Sequence, residues 1–487
     1  MIRVRFAPSP TGYVHIGSLR TALYNYLYAK KMDGKYILRI EDTDRTRYIE
    51  GSIENLINCM EQTKIINDEG PIISNNVIEE KGDYGPYTQS DRLDIYKKYI
   101  DFLLENDWAY YCFCSKERLD ELRESQKKKG ETPKYDGHCK NLSKEQVSEK
   151  IKEGIPYVIR LKLPVNEIIS FDDEVRGHIE INTNDIDDQV LIKSDGYPTY
   201  HFAVVVDDYL MGITHIIRGE EWLPSTPKHV ILYKAFDWEE PKYIHLPNIL
   251  NEDKKKLSKR QGDVAVEDFL KKGYLAEALV NYIALLGWSP NNDEEVFSMD
   301  ELIKNFDIKR INKSGAVFDR AKLNWMNSLY IKNMDKQELV RRIIPYLLKT
   351  KDITEFDVTE KPELIEMIVE TYKEKLNCLS DIIELVDNLF NNSLVFDEEM
   401  ETILKGETVP ILAKILQNEI SDLDDVTPEK MKSIFKKIQK EHGIKGKNLY
   451  MPVRIIITGE MHGSDLMMTM SILGKEELIK RVNAFIS

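Results

Sequence analysis

The sequence predicts an α/β domain built on a parallel sheet, interrupted by an inserted segment and followed by an all-α region. Three observations carry this. The first forty residues read strand, loop, helix, strand. The texture changes between about Asp107 and Asp195 and then returns to alternating strands and helices. After about Asp263 the pattern is helical nearly to the end. In order, Arg3 to Ala7 is a short strand, and a Pro/Ser/Gly loop leads to a helix from about Leu19 to Lys30. Leu19, Ala22, Leu23, Tyr26 and Leu27 recur there at helical spacing, so one face is buried. Tyr36 to Ile40 is the next strand, and this order suggests a right-handed parallel crossover. The middle stretch holds a cysteine-containing segment, a charged helix from about Lys116 to Lys129, a capping box at Ser143-Lys-Glu-Gln146 and an alternating strand from Tyr157 to Leu163. Strands follow at Gln189–Lys193, Ile213–Arg218 and Lys242–Leu246, with a helix near Pro227–Phe236. Further on, Ser298-Met-Asp-Glu301 is a second capping box, and Thr427-Pro-Glu places an N-cap and an N1 proline at a helix start.

A chain of 487 residues is long enough for two to four domains at roughly 100–200 residues each. Hydrophobic residues at 42% and charged residues at 31% mark an ordinary globular composition. No window reaches the ~18 apolar residues of a membrane span, and Ile2-Arg-Val-Arg-Phe6 opens as a strand and not as a signal peptide. A cytoplasmic protein without membrane partners is expected. The net charge of −15 excludes a small basic nucleic-acid module, but local basic clusters remain at Lys127–Lys129, Lys254–Lys256 and Lys430–Lys447. Five cysteines do not make a disulfide framework; Cys59 and Cys378 read as isolated buried thiols.

The first loop invites a ligand. A helix beginning just after a strand offers free N–H groups and a positive dipole end to phosphate. Gly12 and Gly17 allow close approach of a base or phosphate, and His15 can donate a hydrogen bond. The loop is neither a GxxxxGK[ST] nor a GxGxxG loop. About 240 residues downstream, Lys256-Leu-Ser-Lys-Arg260 follows the last α/β strand and clusters cations around a hydroxyl. Such a loop suits a triphosphate and the charge that develops during its cleavage.

Together these residues carry a resemblance. Pro8-Ser-Pro-Thr-Gly-Tyr-Val-His-Ile-Gly-Ser18 resembles the HIGH motif of class I aminoacyl-tRNA synthetases, and Lys256–Arg260 resembles their KMSKS motif. Ala-Pro-Ser-Pro-Thr-Gly is similar to the bacterial glutamyl branch, where the glutaminyl branch has Pro-Pro-Glu-Pro-Asn-Gly. Arg39-Ile-Glu-Asp-Thr-Asp-Arg45, Gly85–Arg92, Asp195–His201, Val206-Asp-Asp208 and Arg218-Gly-Glu-Glu-Trp222 agree in order and spacing over roughly the first 330 residues. Two motif positions depart: Ser18 replaces the last HIGH histidine and Leu257 the KMSKS methionine, a nearly volume-conserving swap. Val204 stands where some relatives carry asparagine.

The resemblance implies a Rossmann-like class I catalytic domain in two halves (1–106 and 196–263). A connective, acceptor-binding insertion (107–195) lies between them, and a helical stem-contact region (264–325) and an all-helical anticodon-binding region (326–487) follow. It implies glutamate–tRNA ligation: ATP, with Mg²⁺, activates L-glutamate to the adenylate, and the glutamyl group passes to the 3′-terminal adenosine of tRNA(Glu). The implied glutamate contacts are Arg5, Ala7, Ser9, Glu41, Tyr200 and Arg218. The implied ATP contacts are Pro8, Ser9, Gly12, His15, Gly17, Ser18, Glu221, Trp222, Lys256, Leu257, Ser258, Lys259 and Arg260, with His15 and Lys259 catalytic. An arginine suits a side-chain carboxylate and a carboxylate suits the α-ammonium. A monomer is expected, and tRNA(Gln) is an alternative acceptor that the sequence does not decide.

Cys112 and Cys114 face one side of a strand, and Cys139 follows 25 residues later. Three thiolates at this spacing can hold zinc, with Tyr135 or His138 as fourth ligand; Asn141, where many relatives place that ligand, is a poor one. A metal-free cysteine cluster is the alternative. Three rival functions are weighed. The helical region of some 160 residues disfavours a catalytic half acting alone on queuosine tRNA. The second motif disfavours a nucleotidyltransferase without tRNA. Retention of Arg5, His15, Glu41, Arg218 and Lys259 disfavours a protein that only binds tRNA.

Overall fold

The computed structural model describes residues 1–257, 264–391 and 393–486. They divide into two units, Met1–Leu270 with Ala276–Arg320, and Lys271–Leu275 with Ala321–Ser487. In the first unit, β1 (Arg3–Phe6) leads through the Pro/Ser/Gly loop into α1 (Ile16–Lys31). The chain returns as β2 (Lys35–Leu38), parallel to β1 with Phe6 opposite Leu38. Burial of α1 exceeds the single face expected: Arg20, Tyr24, Asn25 and Tyr28 are buried together with Leu19, Leu23 and Leu27. A second layer explains this, because helices Ala276–Ala284 and Met299–Asn305 pack on α1 as well as the sheet does. Two of the buried polar tips reach backbone carbonyls of this second layer and its approaches. The Tyr24 hydroxyl donates to the carbonyl of Ala284 at 2.9 Å, and the Arg20 guanidinium to Leu286 at 3.0 Å and to Pro247.

Next come α2 (Ser52–Gln62), an antiparallel hairpin of β3 (Gly70–Ser74) and β4 (Val77–Lys81), and α3 (Leu93–Glu105). The stretch 107–195, expected as one insertion, divides between two sheets. β5 (Ala109–Cys112), β6 (Val158–Leu161) and β9 (Val190–Ile192) form an antiparallel sheet, with α4 (Lys116–Lys128) and α5 (Lys144–Lys152) between the first two strands. β7 (Ile168–Asp173) and β8 (Gly177–Asn182) instead extend a sheet made with β10 (His215–Gly219) and β11 (Lys242–Leu246), in the order β10-β11-β7-β8. Strict alternation of burial along β7 is the cause: Ile169 and Phe171 turn into the same core as Tyr243 of β11. α6 (Tyr200–Leu210) and α7 (Thr226–Ala235) flank this core. β1 and the start of β10 are joined by the Thr214 amide, which donates to the Arg3 carbonyl at 2.9 Å.

Both capping boxes form as expected, at Ser143 and Ser298. The second unit is helical, from Lys336–Leu347 through Leu466–Asn483, with Thr427 capping Pro428–Glu441 and a kink at Gly474 (φ 74°) in the last helix. No helix among the described residues is long and apolar enough to cross a membrane.

Candidate functional site

Two adjoining cavities open beyond the C-terminal ends of β1, β2 and β10, where ligands bind in open α/β sheets. The larger, about 640 Å³, is lined by Arg5, Ala7, Pro8 and Ser9 from the end of β1, Glu41 beyond β2, Tyr200 at the start of α6, Arg218 on β10, and Trp222. The smaller, about 340 Å³, is lined by His15, Asn248, Lys256 and Leu257. Gly17, Ser18, Thr21, Gly219 and Glu221 line both, so they are lobes of one cleft. All six residues expected at glutamate line the larger lobe. Of the expected ATP contacts, His15, Gly17, Ser18, Glu221, Lys256 and Leu257 line the smaller lobe, while Pro8, Ser9 and Trp222 line the larger, where Trp222 packs on Tyr200 with ring centroids 4.2 Å apart. Gly12 (φ 120°) lines neither lobe. Ser258, Lys259 and Arg260 lie outside the described residues. Val204 is buried in the apolar core and lines neither lobe.

His15 is the N-cap of α1, and its Nδ1 accepts from the Gly17 amide at 2.9 Å. Since Nδ1 accepts, the neutral ring carries its proton on Nε2, the donor a phosphate or ribose oxygen needs. The backbone ties this loop to the segment that follows the lysine motif, and ties Leu257 of the motif to Ile249, which lines the same lobe. Ile16 donates to Val264 at 3.0 Å, Val266 donates to Val14 at 2.9 Å, and Leu257 donates to Ile249 at 2.9 Å. Two segments that lie far apart in sequence thus border one lobe.

A buried ionic network supports the larger lobe. Asp208 accepts from Arg5 Nε at 3.0 Å and Arg39 Nη1 at 2.7 Å, and Arg39 Nη2 donates to Glu41 at 3.0 Å. Asp207 accepts from Arg92 at 2.7 Å, Gln89 at 2.8 Å and the Tyr96 hydroxyl at 2.8 Å. Burial pushes the Glu41 carboxyl up to about 7 despite the Arg39 guanidinium beside it. An ammonium ion placed against Glu41 favours its ionised form, so binding a cationic ligand there releases a proton between the ordinary carboxylate range and about 7. Affinity for a ligand held through an ammonium at Glu41 is therefore expected to weaken about tenfold per pH unit as pH falls below about 7, and to flatten above it. An affinity that does not change between about pH 6 and 8, one unit either side of that value, contradicts this role for Glu41.

Arg218 sits among neutral acceptors. Its Nε donates to His245 at 3.0 Å, Nη1 to the Tyr200 hydroxyl at 3.2 Å and His229 at 3.3 Å, and Nη2 to Thr226 at 2.9 Å. Burial holds His229 well below its ordinary value and His201, behind it, at about 4.

The sulfurs of Cys112, Cys114 and Cys139 all lie within 4.8 Å of one another. The Tyr135 hydroxyl lies 3.3 Å from Cys112 and 3.4 Å from Cys114, and accepts from the Cys139 amide at 3.0 Å. Three soft sulfurs and one oxygen converging on a point fit tetrahedral zinc. Of the two expected fourth ligands, Tyr135 has its hydroxyl against two of the sulfurs, whereas the exposed His138 has its backbone amide donating to Asp136.

Residues 1–325 match the family model described as tRNA synthetases class I (E and Q), catalytic domain, and residues 338–486 match an anticodon binding domain. The chain is 58% identical over 483 residues to the glutamate–tRNA ligase of Clostridioides difficile, with 99% of this chain and 98% of that protein covered. It belongs to the glutamate–tRNA ligase family. The ligase of Alkaliphilus metalliredigens is 55% identical over 482 residues, covering 99% of this chain and 98% of that protein. A crystal structure of a glutamate tRNA ligase from Elizabethkingia meningosepticum, in complex with its amino acid, superposes with a TM-score of 0.88 at 38% identity over 100% of this chain and 99% of that one. A class I catalytic module followed by an anticodon-binding module implies tRNA, ATP and an amino acid as substrates.

Several residues of this glutamate–tRNA ligase cleft escape the sequence reading. Thr43, Asp44, Arg47, Gln89, Lys193 and Thr199 line the larger lobe, and Arg20 and Asn248 the smaller. Gln89 and Thr199 fall inside the matched blocks Gly85–Arg92 and Asp195–His201, which held the signal without a role. Asp173, His229 and His245 carry no such signal, because only the pairing of β7, β10 and β11 and the packing of α7 bring them together.

Proposed function

We propose that the larger lobe binds L-glutamate and the smaller binds ATP, and that the chain esterifies glutamate to tRNA(Glu). The Arg218 guanidinium and the Tyr200 hydroxyl suit the side-chain carboxylate, Glu41 suits the α-ammonium, and Arg5 lies beside them, its Nε held by Asp208. The α-carboxylate is then left facing the shared wall of Gly17, Ser18 and Gly219, toward the ATP lobe. One of its oxygens attacks the α-phosphorus in line, the bond to the β-phosphate bridging oxygen breaks, and pyrophosphate leaves. His15 and Lys256 in the lobe, with Lys259 of the lysine motif, offset the charge on the phosphates. Mg²⁺ bound to the ATP phosphates would add further neutralisation, and Glu221 is a carboxylate within reach of that lobe. The ribose hydroxyl of the terminal adenosine next attacks the carbonyl of the mixed anhydride, forming the ester and releasing AMP.

The single observation that carries this reading is the pairing of Arg218 and Glu41, opposite charges in one lobe that adjoins the His15 lobe. A charging assay tests it: radiolabelled glutamate is expected to enter tRNA(Glu), and failure to charge any tRNA sinks the reading. The same assay with tRNA(Gln) reads out the second acceptor. We place the catalytic halves at 1–106 and 196–263, with β7 and β8 of the intervening stretch 107–195 added to the sheet of the second half, the stem-contact region at 264–325 and the anticodon region at 326–487, in a cytoplasmic monomer. Cys112, Cys114, Cys139 and Tyr135 would hold zinc, which would crosslink the β5 end to the loop before α5. Chelator-washed protein is expected to keep about one zinc per chain, and Cys114→Ser to lose it while leaving ATP binding intact. Metal-free protein of full stability contradicts the assignment.

A further inference from the structure

Three arginines line the larger lobe, and two of them are ion-paired: Arg5 with Asp208 at 3.0 Å and Arg47 with Asp44 at 2.7 Å. Arg218 is as buried as Arg5, yet its hydrogen-bond partners among the described residues are all neutral: His245, His229, Tyr200 and Thr226. The protonation pattern behind it follows from donor and acceptor rules alone. Asp173 accepts from His245 Nδ1 at 2.7 Å and from the His245 amide at 3.0 Å, so the His245 proton sits on Nδ1 and Nε2 is the acceptor for Arg218. A guanidinium only donates, so His229 accepts at Nδ1. Its Nε2 proton then points to His201 Nδ1, 3.1 Å away. Tyr200 accepts from Arg218, which leaves its own hydroxyl proton to donate elsewhere. Of the five guanidinium N–H groups four are engaged by the described residues, and one on Nη2 has no partner among them.

We propose that His245 and His229, themselves fixed by Asp173 and His201, are positioning residues. They fix the Arg218 guanidinium with neutral acceptors and deny it a carboxylate of its own, so that only a ligand carboxylate completes the site and a carboxamide is rejected. This rests on Arg218 being the receptor for the glutamate side chain, as proposed above. Neutral acceptors matter because a protein carboxylate at the same place would already satisfy the charge. A carboxamide offers one acceptor oxygen, and its NH₂ group would face the Arg218 and Tyr200 donors unpaired.

The test is ATP–pyrophosphate exchange by the full chain with tRNA present, reading KM separately for glutamate, glutamine and ATP. His229→Asp puts a carboxylate where the neutral acceptor stands. It is expected to raise the glutamate KM at least about tenfold, leave the ATP KM within about twofold and shrink glutamate-over-glutamine discrimination about tenfold. His229→Asn, whose Oδ1 takes the place of Nδ1, is expected to stay within about threefold of the parent. Should His229→Asp not fold, His229→Leu removes the acceptor without adding charge, and the same rise in glutamate KM at constant ATP KM is expected. Discrimination unchanged in both His229→Asp and His229→Leu overturns the proposal, as does His229→Asn behaving as badly as His229→Asp. Arg218→Gln separates the two layers: if it leaves the glutamate KM unchanged, the receptor reading fails, and if it raises that KM while the His229 variants do not, only the positioning role fails.

Discussion

Asp208→Ala is expected to destabilise the first unit by about 3–5 kcal/mol, the cost of stranding buried charge when one partner of an ion pair is removed. Asp208 is 1% exposed and holds two arginines at once, Arg5 and the fully buried Arg39. Without it Arg39 keeps Glu41 at 3.0 Å and a longer contact of 3.8 Å to Asp207, while Arg5 loses its ion pair with Asp208. The carboxylate is held below its ordinary range by the two guanidinium groups that offset its burial, so its contribution is present at neutral pH and is lost as pH falls through that lowered value. Denaturant unfolding of the parent and of Asp208→Ala and Asp208→Asn checks this. A midpoint shift worth less than about 1 kcal/mol in both variants contradicts the network's role. The glutamate KM is expected to rise in any variant that folds, because Arg5 and Glu41 share the network that Asp208 anchors.

Lys259→Ala is expected to lower the activation rate by about 10²–10³-fold, the usual loss when a preorganised group facing developing charge is removed. Binding of tRNA should change far less. The reason is positional: Leu257 and Val264, on either side of the motif, are hydrogen-bonded to Ile249 and Ile16 at the border of the His15 lobe. Single-turnover exchange and a direct tRNA-binding titration separate the two quantities. Equal losses in both would mean that the lysine motif serves docking and not phosphate chemistry.

Local signals carried most of the fold. Strand Lys242–Leu246 and the caps at Ser143, Ser298 and Thr427 were legible because backbone hydrogen-bond needs and hydrophobic periodicity act over a few residues. The destination of β7 was not legible. Its alternation identifies a strand, but whether it joins β6 or β11 depends on the partner that completes its buried face, Tyr243, about seventy residues on. The cleft divides in the same way. Ser9, Glu41, Tyr200 and Arg218 sit in blocks whose spacing resembles the family, and the structure brings them into one lobe with Arg5, which precedes the first block. The Asp207–Asp208 network was visible only as an acidic pair, and Asp173, His229 and His245 were invisible, because no short-range pattern encodes three side chains from three elements converging on a guanidinium. Trp222, expected as an ATP contact, lines the larger lobe with its ring against Tyr200, while its neighbour Glu221 reaches both lobes.

Two lobes that share the wall of Gly17, Ser18 and Gly219 amount to a claim that one cleft joins an amino acid carboxylate to ATP. ATP–pyrophosphate exchange with glutamate or glutamine, with and without tRNA, measures that step directly. Exchange is predicted with glutamate in the presence of tRNA, and to be far weaker with glutamine. Exchange with neither amino acid under any condition, or with glutamine in preference to glutamate, would contradict the account.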